Sequence, residues 1–253
     1  MKKRNLLLSV FTVFILWQCL PEKVDIYMIG DSTMANKKPE KKPETGWGQV
    51  FDEFFNSDVT VHNHSVNGRS SKSFIDEGRW QTVMDSLKPG NWVFIQFGHN
   101  DQKSHDSTRY TKPHEGYKAN LQRYVNDSRK KGAKPVLLTP VMRRRFDENN
   151  VFYDTHGEYP DVVREVAKEM NVPLIDVHKS SRKMIEELGV EKTKEVFLWV
   201  KPGEYEGYPH GKEDNTHFTK YGAHIIACLV AKDLSKLNLE LSKYLIDTGQ
   251  NCY

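Results

Sequence analysis

Cysteine is scarce in this chain, with three in 253 residues, at positions 19, 228 and 252. That is too few for a disulfide scaffold, and the spacing is not that of zinc ligands. Long hydrophobic runs are as rare. Only Leu6 to Leu20 forms one, so a chain that crosses a bilayer repeatedly is excluded. Charge of one sign is lacking too, because the formal net charge is only +3, and a general nucleic-acid binder needs a basic surplus. Internal repeats and a low-complexity linker long enough to separate two domains are absent. Aromatic residues are plentiful, with 12 Phe, 5 Trp and 11 Tyr, enough apolar material for one substantial core and too much for intrinsic disorder.

The apolar run follows Lys2, Lys3 and Arg4, which makes residues 1–20 an export signal rather than a spanning helix. Without residues 1–18, Lys plus Arg falls from 37 to 34 against 34 Asp plus Glu, and the mature chain is formally neutral. Cys19 lies at the end of the run, one residue before Leu20. It is either the site of a lipid anchor, the one membrane attachment the sequence offers, or an ordinary cysteine in a discarded peptide. Its flank Leu16-Trp17-Gln18 departs from a lipobox. Export to the periplasm, the surface or the medium is the expectation, and it permits Cys228 and Cys252 to pair.

Residues 21–253 read as one domain of alternating β-branched or aromatic runs and amphipathic stretches. The expected strands are Val24 to Ile29, Val59 to His64, Trp92 to Phe97, Pro135 to Thr139 and Val172 to Val177. Tyr117, Leu121, Tyr124 and Val125 mark a helix closed by Gly132. Val162, Val163, Val166, Ala167 and Met170 mark another, opened by Pro160, and Ala223, Ile226, Ala227, Val230 and Leu234 a last one. This order predicts a three-layer α/β/α sandwich, flavodoxin-like, around a five-stranded parallel sheet. Asn36 to Gly46, rich in Lys, Pro and Glu, reads as an exposed loop. Ligands of such sheets bind outside the carboxyl ends of the strands, where the first and third diverge.

Chemistry-bearing residues collect at those ends. Strand one ends in Gly30-Asp31-Ser32-Thr33, which presents a hydroxyl at a sharp turn. Asn67-Gly68-Arg69-Ser70 follows strand two, and Phe97-Gly98-His99-Asn100-Asp101 closes strand three. Taken singly, these are turns of ordinary composition. Asp214-Asn215-Thr216-His217 precedes the last helix, and in a tight turn a carboxylate three residues before an imidazole reaches its ring. Together the four segments supply a nucleophile, a base, a group that orients the base and oxyanion donors, the set that ester hydrolysis requires.

With Gly30-Asp31-Ser32, Gly68, Gly98-x-Asn100-Asp101 and Asp214-x-x-His217 in this order, the chain resembles the SGNH or GDSL hydrolases. The run from Asn67 to Phe74, Glu77-Gly78-Arg79-Trp80, Thr139-Pro140, Arg143-Arg144-Arg145-Phe146 and the DNTHFTKYGA segment from Asp214 make it similar to the rhamnogalacturonan acetylesterases, over about residues 24–240. The resemblance implies Ser32 as nucleophile, His217 as base and Asp214 as its orienting partner. It implies an oxyanion hole of the Ser32 N–H, the Gly68 N–H and the Asn100 side chain.

A neutral imidazole, with an ordinary pKa of about 6.5, suits the base near neutrality, so activity should fall as the pH drops through that range. The resemblance further implies an acetylated polysaccharide as substrate, with rhamnogalacturonan first and acetylated xylan or another glycan as competitors. Arg69 and Arg143 offer planar forks to uronate carboxylates, and Trp80 a face to a sugar ring. Trp47, Trp199, Tyr205 and Tyr208 are further candidates for stacking. No cofactor is implied. Three other functions compete with this reading. A dimetal phosphoesterase needs converging Asp and His ligands, and none assembles from the sequence, so no metal ligand is assigned. A carbohydrate-binding module would lack a catalytic position, and a lipase or thioesterase would prefer long acyl chains.

Overall fold

The computed structural model describes residues 23–246 and 251–253. The export segment 1–20 and Cys19 lie outside the described residues. Five parallel strands form the central sheet: β1 (Val24–Gly30), β2 (Val59–Asn63), β3 (Trp92–Gln96), β4 (Lys134–Leu138) and β5 (Leu174–Ile175), in the order β2-β1-β3-β4-β5. This is the flavodoxin-like order, with its switch point between β1 and β3. Successive strand residues point to opposite faces, and each face has its own core.

Ile26 and Met28 on β1, Phe94 on β3 and Val136 and Leu138 on β4 face one side. They pack with Trp47, Phe51 and two helices, α5 (Val177–Val196) and α6 (Lys220–Ser235). Tyr27, Ile29, Val93, Ile95 and Leu137 face the other, against α1 (Ser71–Asp76), α2 (Arg79–Ser86), α3 (Lys118–Lys130) and α4 (Tyr159–Glu169). Burial on both faces explains the unbroken apolar runs of β3 and β4. Each fully buried ring such as Phe94 stabilises the sandwich by roughly 2–3 kcal/mol.

Three elements differ from the expectation. The fifth strand is only Leu174–Ile175, because the Asp176 carboxylate accepts a hydrogen bond from the Lys179 N–H and caps α5, a helix the sequence pattern did not reveal. A short apolar run is ambiguous between strand and helix until its partners are known. The segment from Asp214 to His217 lies within β7 (Lys212–Phe218), which pairs antiparallel with β6 (Phe197–Val200) outside the main sheet. Phe197 opposes Phe218 while the next residue, Leu198, opposes Asp214. Asn215, Thr216 and His217 therefore bulge out between them, and this bulge supplies the tight turn.

Cys228 on α6 and Cys252 form a disulfide, tying the end of the chain to the last helix. Among the described residues, no helix is long and apolar enough to cross a membrane.

Candidate active site

The turn after β1 is built by Asp31. Its buried carboxylate accepts from the Thr33 N–H at 2.9 Å and the Thr33 hydroxyl at 2.8 Å, while its carbonyl accepts from Met34 and Ala35. This leaves Ser32 half-buried at the tip, with its hydroxyl free to face the crevice. Across it, 185 residues later in the chain, stands His217, whose Nε2 lies 2.9 Å from the Ser32 Oγ. The His217 Nδ1 lies 2.9 Å from the Asp214 Oδ2, and the Asp214 Oδ1 accepts the backbone N–H groups of Thr216 and His217. Burial alone raises the Asp214 pKa, but the imidazole and these two N–H groups more than offset it and hold the carboxyl far below its usual range. An ionised carboxylate only accepts, so Nδ1 carries the imidazole proton and Nε2 presents a lone pair to the serine hydroxyl.

The bulge that carries the histidine is anchored from outside. Buried Arg144 donates to the Asn215 Oδ1 at 3.0 Å, and its backbone N–H donates to the Asn215 carbonyl at 2.9 Å. The same Oδ1 accepts from the Trp199 indole, over which the Arg144 guanidinium stacks.

The oxyanion candidates come from the neighbouring strand ends. Gly68 has φ +77°, a left-handed conformation that a side chain resists. Two residues on, Ser70 and Ser73 form a capping box that starts α1. Gly98, at φ +142°, sits against Pro140, where an added Cβ would come within 3.1 Å of the ring. Asn100 is buried, and its amide donates to the Arg69 carbonyl at 3.0 Å, which orients the group and leaves its second N–H for another acceptor. Asp101 accepts from the Ser71 N–H and hydroxyl and from Thr111, locking the Gly68 and Gly98 segments together. Burial raises its pKa to about 6 despite those donors. Asp101 is thus a structural tie rather than a participant.

This arrangement of strand ends and the relay across them can be set beside known proteins. The GDSL-like lipase/acylhydrolase family matches residues 28–224. This chain belongs to that family. It is a carboxylic ester hydrolase, 42% identical over 227 residues to the rhamnogalacturonan acetylesterase RhgT of Bacillus subtilis, covering 90% of this chain and 96% of that one. A probable rhamnogalacturonan acetylesterase of the same organism, YesY, is 38% identical over 87% of this chain and 97% of its own. Among solved structures, Bacillus subtilis YxiM superposes with a TM-score of 0.73 at 24% identity, over 85% of this chain and 57% of that longer one. The acetylxylan esterase Axe2 of Geobacillus stearothermophilus superposes with a TM-score of 0.60 at 18% identity, over 86% and 95% of the two chains. At these identities the structures share the fold.

Not every residue singled out in the sequence of this hydrolase reaches the crevice. Trp80 does not: it is 2% exposed, packed edge-on against Tyr124, with its indole donating to Asp127. Its place is the core beneath α2, because an indole buried in that apolar cluster has no face left for a sugar. Trp47 is likewise fully buried, donating to Gln96. Arg69 is half-exposed beside Gly68, paired with Glu77 at 3.0 Å. Arg143 is half-buried, donating to the His99 carbonyl and the Thr155 hydroxyl, and no carboxylate pairs with it among the described residues.

A cluster that the sequence did not assemble also appears. Asp154, His156 and His178 bring donor atoms within 4.8 Å of one another, and the His156 Nε2 lies 3.4 Å from the His99 Nε2 behind the Ser32 turn. The second nitrogen of His178, Nδ1, faces the Arg164 guanidinium at 3.3 Å. Arginine is always a donor, so that Nδ1 is bare and the proton of His178 sits on Nε2, donated to Asp154 at 2.8 Å. A metal-ligating histidine carries its proton on the nitrogen away from the metal and donates it to an oxygen. Here the hydrogen bonding runs the opposite way, and the cluster reads as a bonded polar network.

Proposed function

We propose that this hydrolase removes acetyl groups from acetylated rhamnogalacturonan by Ser-His-Asp acyl transfer. The observation that carries this reading is the continuous relay from Ser32 Oγ through His217 to Asp214, with 2.9 Å at both steps. His217 takes the hydroxyl proton as Oγ attacks the acetyl carbonyl. Asp214 holds the imidazole in the accepting tautomer and stabilises the imidazolium. Charge gathering on the carbonyl oxygen meets the N–H groups of Ser32 and Gly68 and the free amide N–H of Asn100. The imidazolium then protonates the departing sugar oxygen, and water repeats the sequence to release acetate. Asn100→Ala is expected to lower kcat about 100- to 1000-fold, the cost of one preorganised donor, with KM little changed. A tenfold larger rise in KM than fall in kcat would place Asn100 in binding instead.

The names of the relatives support the polysaccharide, and so does a groove of about 800 Å³ that opens at Gly68. Arg69, Lys72 and Arg109 line it. Arg69 and Arg109 are neutralised by Glu77 and Asp106, whereas the Lys72 ammonium touches the Ser107 carbonyl and pairs with no carboxylate among the described residues. A uronate carboxylate fits that ammonium. The export reading of residues 1–20 suits a polymer too large to enter a cell, and a disulfide suits an oxidising compartment.

The deciding measurement is acetate release from acetylated rhamnogalacturonan, acetylated xylan and a long-chain acyl ester. The first should be the best substrate. Lys72→Met should raise KM for it about 2- to 5-fold, the worth of one partly exposed ion pair, and leave a small neutral acetyl ester unaffected. Preference for xylan with no effect at Lys72, or for the long acyl chain, would overturn the substrate assignment.

A further inference from the structure

The loop from Asn36 to Gly46, expected to be exposed, is so only in part. Lys38, Glu40, Lys41 and Lys42 face solvent. Lys37 and Glu44, of the same residue types, turn inward: the Lys37 side chain is 2% exposed and that of Glu44 15%. The Lys37 ammonium makes three bonds, to the carbonyl of Ser32 at 2.7 Å, to the Asn67 Oδ1 at 2.8 Å and to the Glu44 Oε1 at 2.8 Å. An ammonium has three N–H donors, and all are used. The other carboxylate oxygen of Glu44 accepts from the Tyr208 hydroxyl at 3.0 Å.

A buried ion pair contributes little net stability, because desolvation consumes most of the attraction. What distinguishes this one is where its bonds end. One holds the peptide that follows the nucleophile; another holds the side chain next to Gly68. The strand ends that supply two backbone donors of the oxyanion hole are thereby tied to one charged atom.

We propose that Lys37 and Glu44 are a positioning pair for ester hydrolysis, Lys37 setting the Ser32 turn against the Gly68 turn and Glu44 balancing its charge beside His217. The proposal rests on the acyl-transfer reading of Ser32 and His217. Among the described residues, the charged and titratable groups acting on that imidazole are Asp214 on its own strand, Glu44 from the loop after β1 with its partners Lys37 and Tyr208, and His99 from the loop after β3. Burial favours the neutral form of Glu44, but Lys37 outweighs it and keeps the carboxyl below its usual pKa. Removing one member therefore leaves the other as an uncompensated charge near the base. An unmatched carboxylate favours the imidazolium; an unmatched ammonium disfavours it.

The test is the pH dependence of kcat/KM on a small acetyl ester for Lys37→Met, Glu44→Gln and the double variant. Lys37→Met should lower kcat about 10- to 100-fold with KM within about 3-fold, since misplaced donors act on the transition state. Its acidic limb should move to higher pH. The limb of Glu44→Gln should move to lower pH, and that of the double variant should return toward the parent while the loss in kcat remains. A purely structural pair would not move the two limbs in opposite directions.

Parent-like kcat in Lys37→Met, or limbs that stay in place in both single variants, would overturn the proposal. If Lys37→Met fails to fold, the isosteric Glu44→Gln decides by its limb alone. Labelling of Ser32 by a fluorophosphonate in the parent separates the two levels of inference. Absence of label removes the acyl-transfer reading and the pair with it, whereas a labelled parent with unmoved variants removes only the pair.

Discussion

Ser32→Ala and His217→Ala are each expected to reduce acetate release by about 10⁴- to 10⁶-fold, and the double variant by no more than the worse single one. The reason is that the two groups act as one. The serine hydroxyl is a weak nucleophile until the imidazole accepts its proton, and the imidazole has nothing to deprotonate once Oγ is gone. Folding should survive both changes. The Ser32 Oγ has the His217 Nε2 as its hydrogen-bond partner, and the His217 side chain is about a quarter exposed, so neither change opens a cavity in either core. Acetate assay together with a thermal unfolding curve checks both halves. Turnover near the parent level in either purified variant would remove Ser32 and His217 from their roles.

Asp214→Asn is expected to cost about 10³- to 10⁴-fold in kcat near neutral pH, although it removes only a charge. The structure explains why an amide cannot substitute. The Asp214 Oδ1 is held by the N–H groups of Thr216 and His217. In the variant the amide oxygen must stay there, because an NH₂ in that place would face two donors. The NH₂ is then turned to the His217 Nδ1, to which it donates. That bond fixes the imidazole proton on Nε2, toward Ser32, where a lone pair is needed. A loss smaller than about tenfold would show that the base works without a defined tautomer. The same hydrogen bonds predict that the bulge in β7 survives, so the far-ultraviolet circular dichroism and the unfolding temperature should remain close to those of the parent.

How much of this was visible beforehand follows from the range of the interactions involved. Strand existence in β1, β3 and β4 was legible because both faces are buried, which writes an apolar run into the chain. The helix starting at Tyr159 was legible from Pro160 and its periodic valines. Helix α5 was not, since Val172 to Val177 suits a strand equally well and only the Asp176 cap, with Thr139 donating to the same carboxylate, resolves it. The antiparallel pair of β6 and β7 was hidden for a similar reason: Lys212 to Phe218 is polar, and its pairing rests on a partner strand 15 residues earlier at its start. Trp80, a candidate for the ligand, and Lys37, part of a loop expected to be exposed, exchanged fates. The sequence suggests a tryptophan at the ligand and a lysine in water, and packing put the tryptophan in the core and the lysine under the Ser32 turn.

Sequence alone thus determined the alternation that makes an α/β sandwich, and the identities of the serine, glycine and asparagine that follow the sheet strands and of the aspartate and histidine that the β7 bulge carries. These are local properties: a turn residue, a periodic face or an Asp three positions before a His is complete within a few residues. Only the tertiary structure decided which of them meet. The contact between Ser32 and His217 spans 185 positions, and the inward turn of Lys37 depends on acceptors from Ser32, Asn67 and Glu44. The energy of a charge or a hydroxyl is set by the atoms that replace its water, and those atoms come from segments that sequence proximity does not connect.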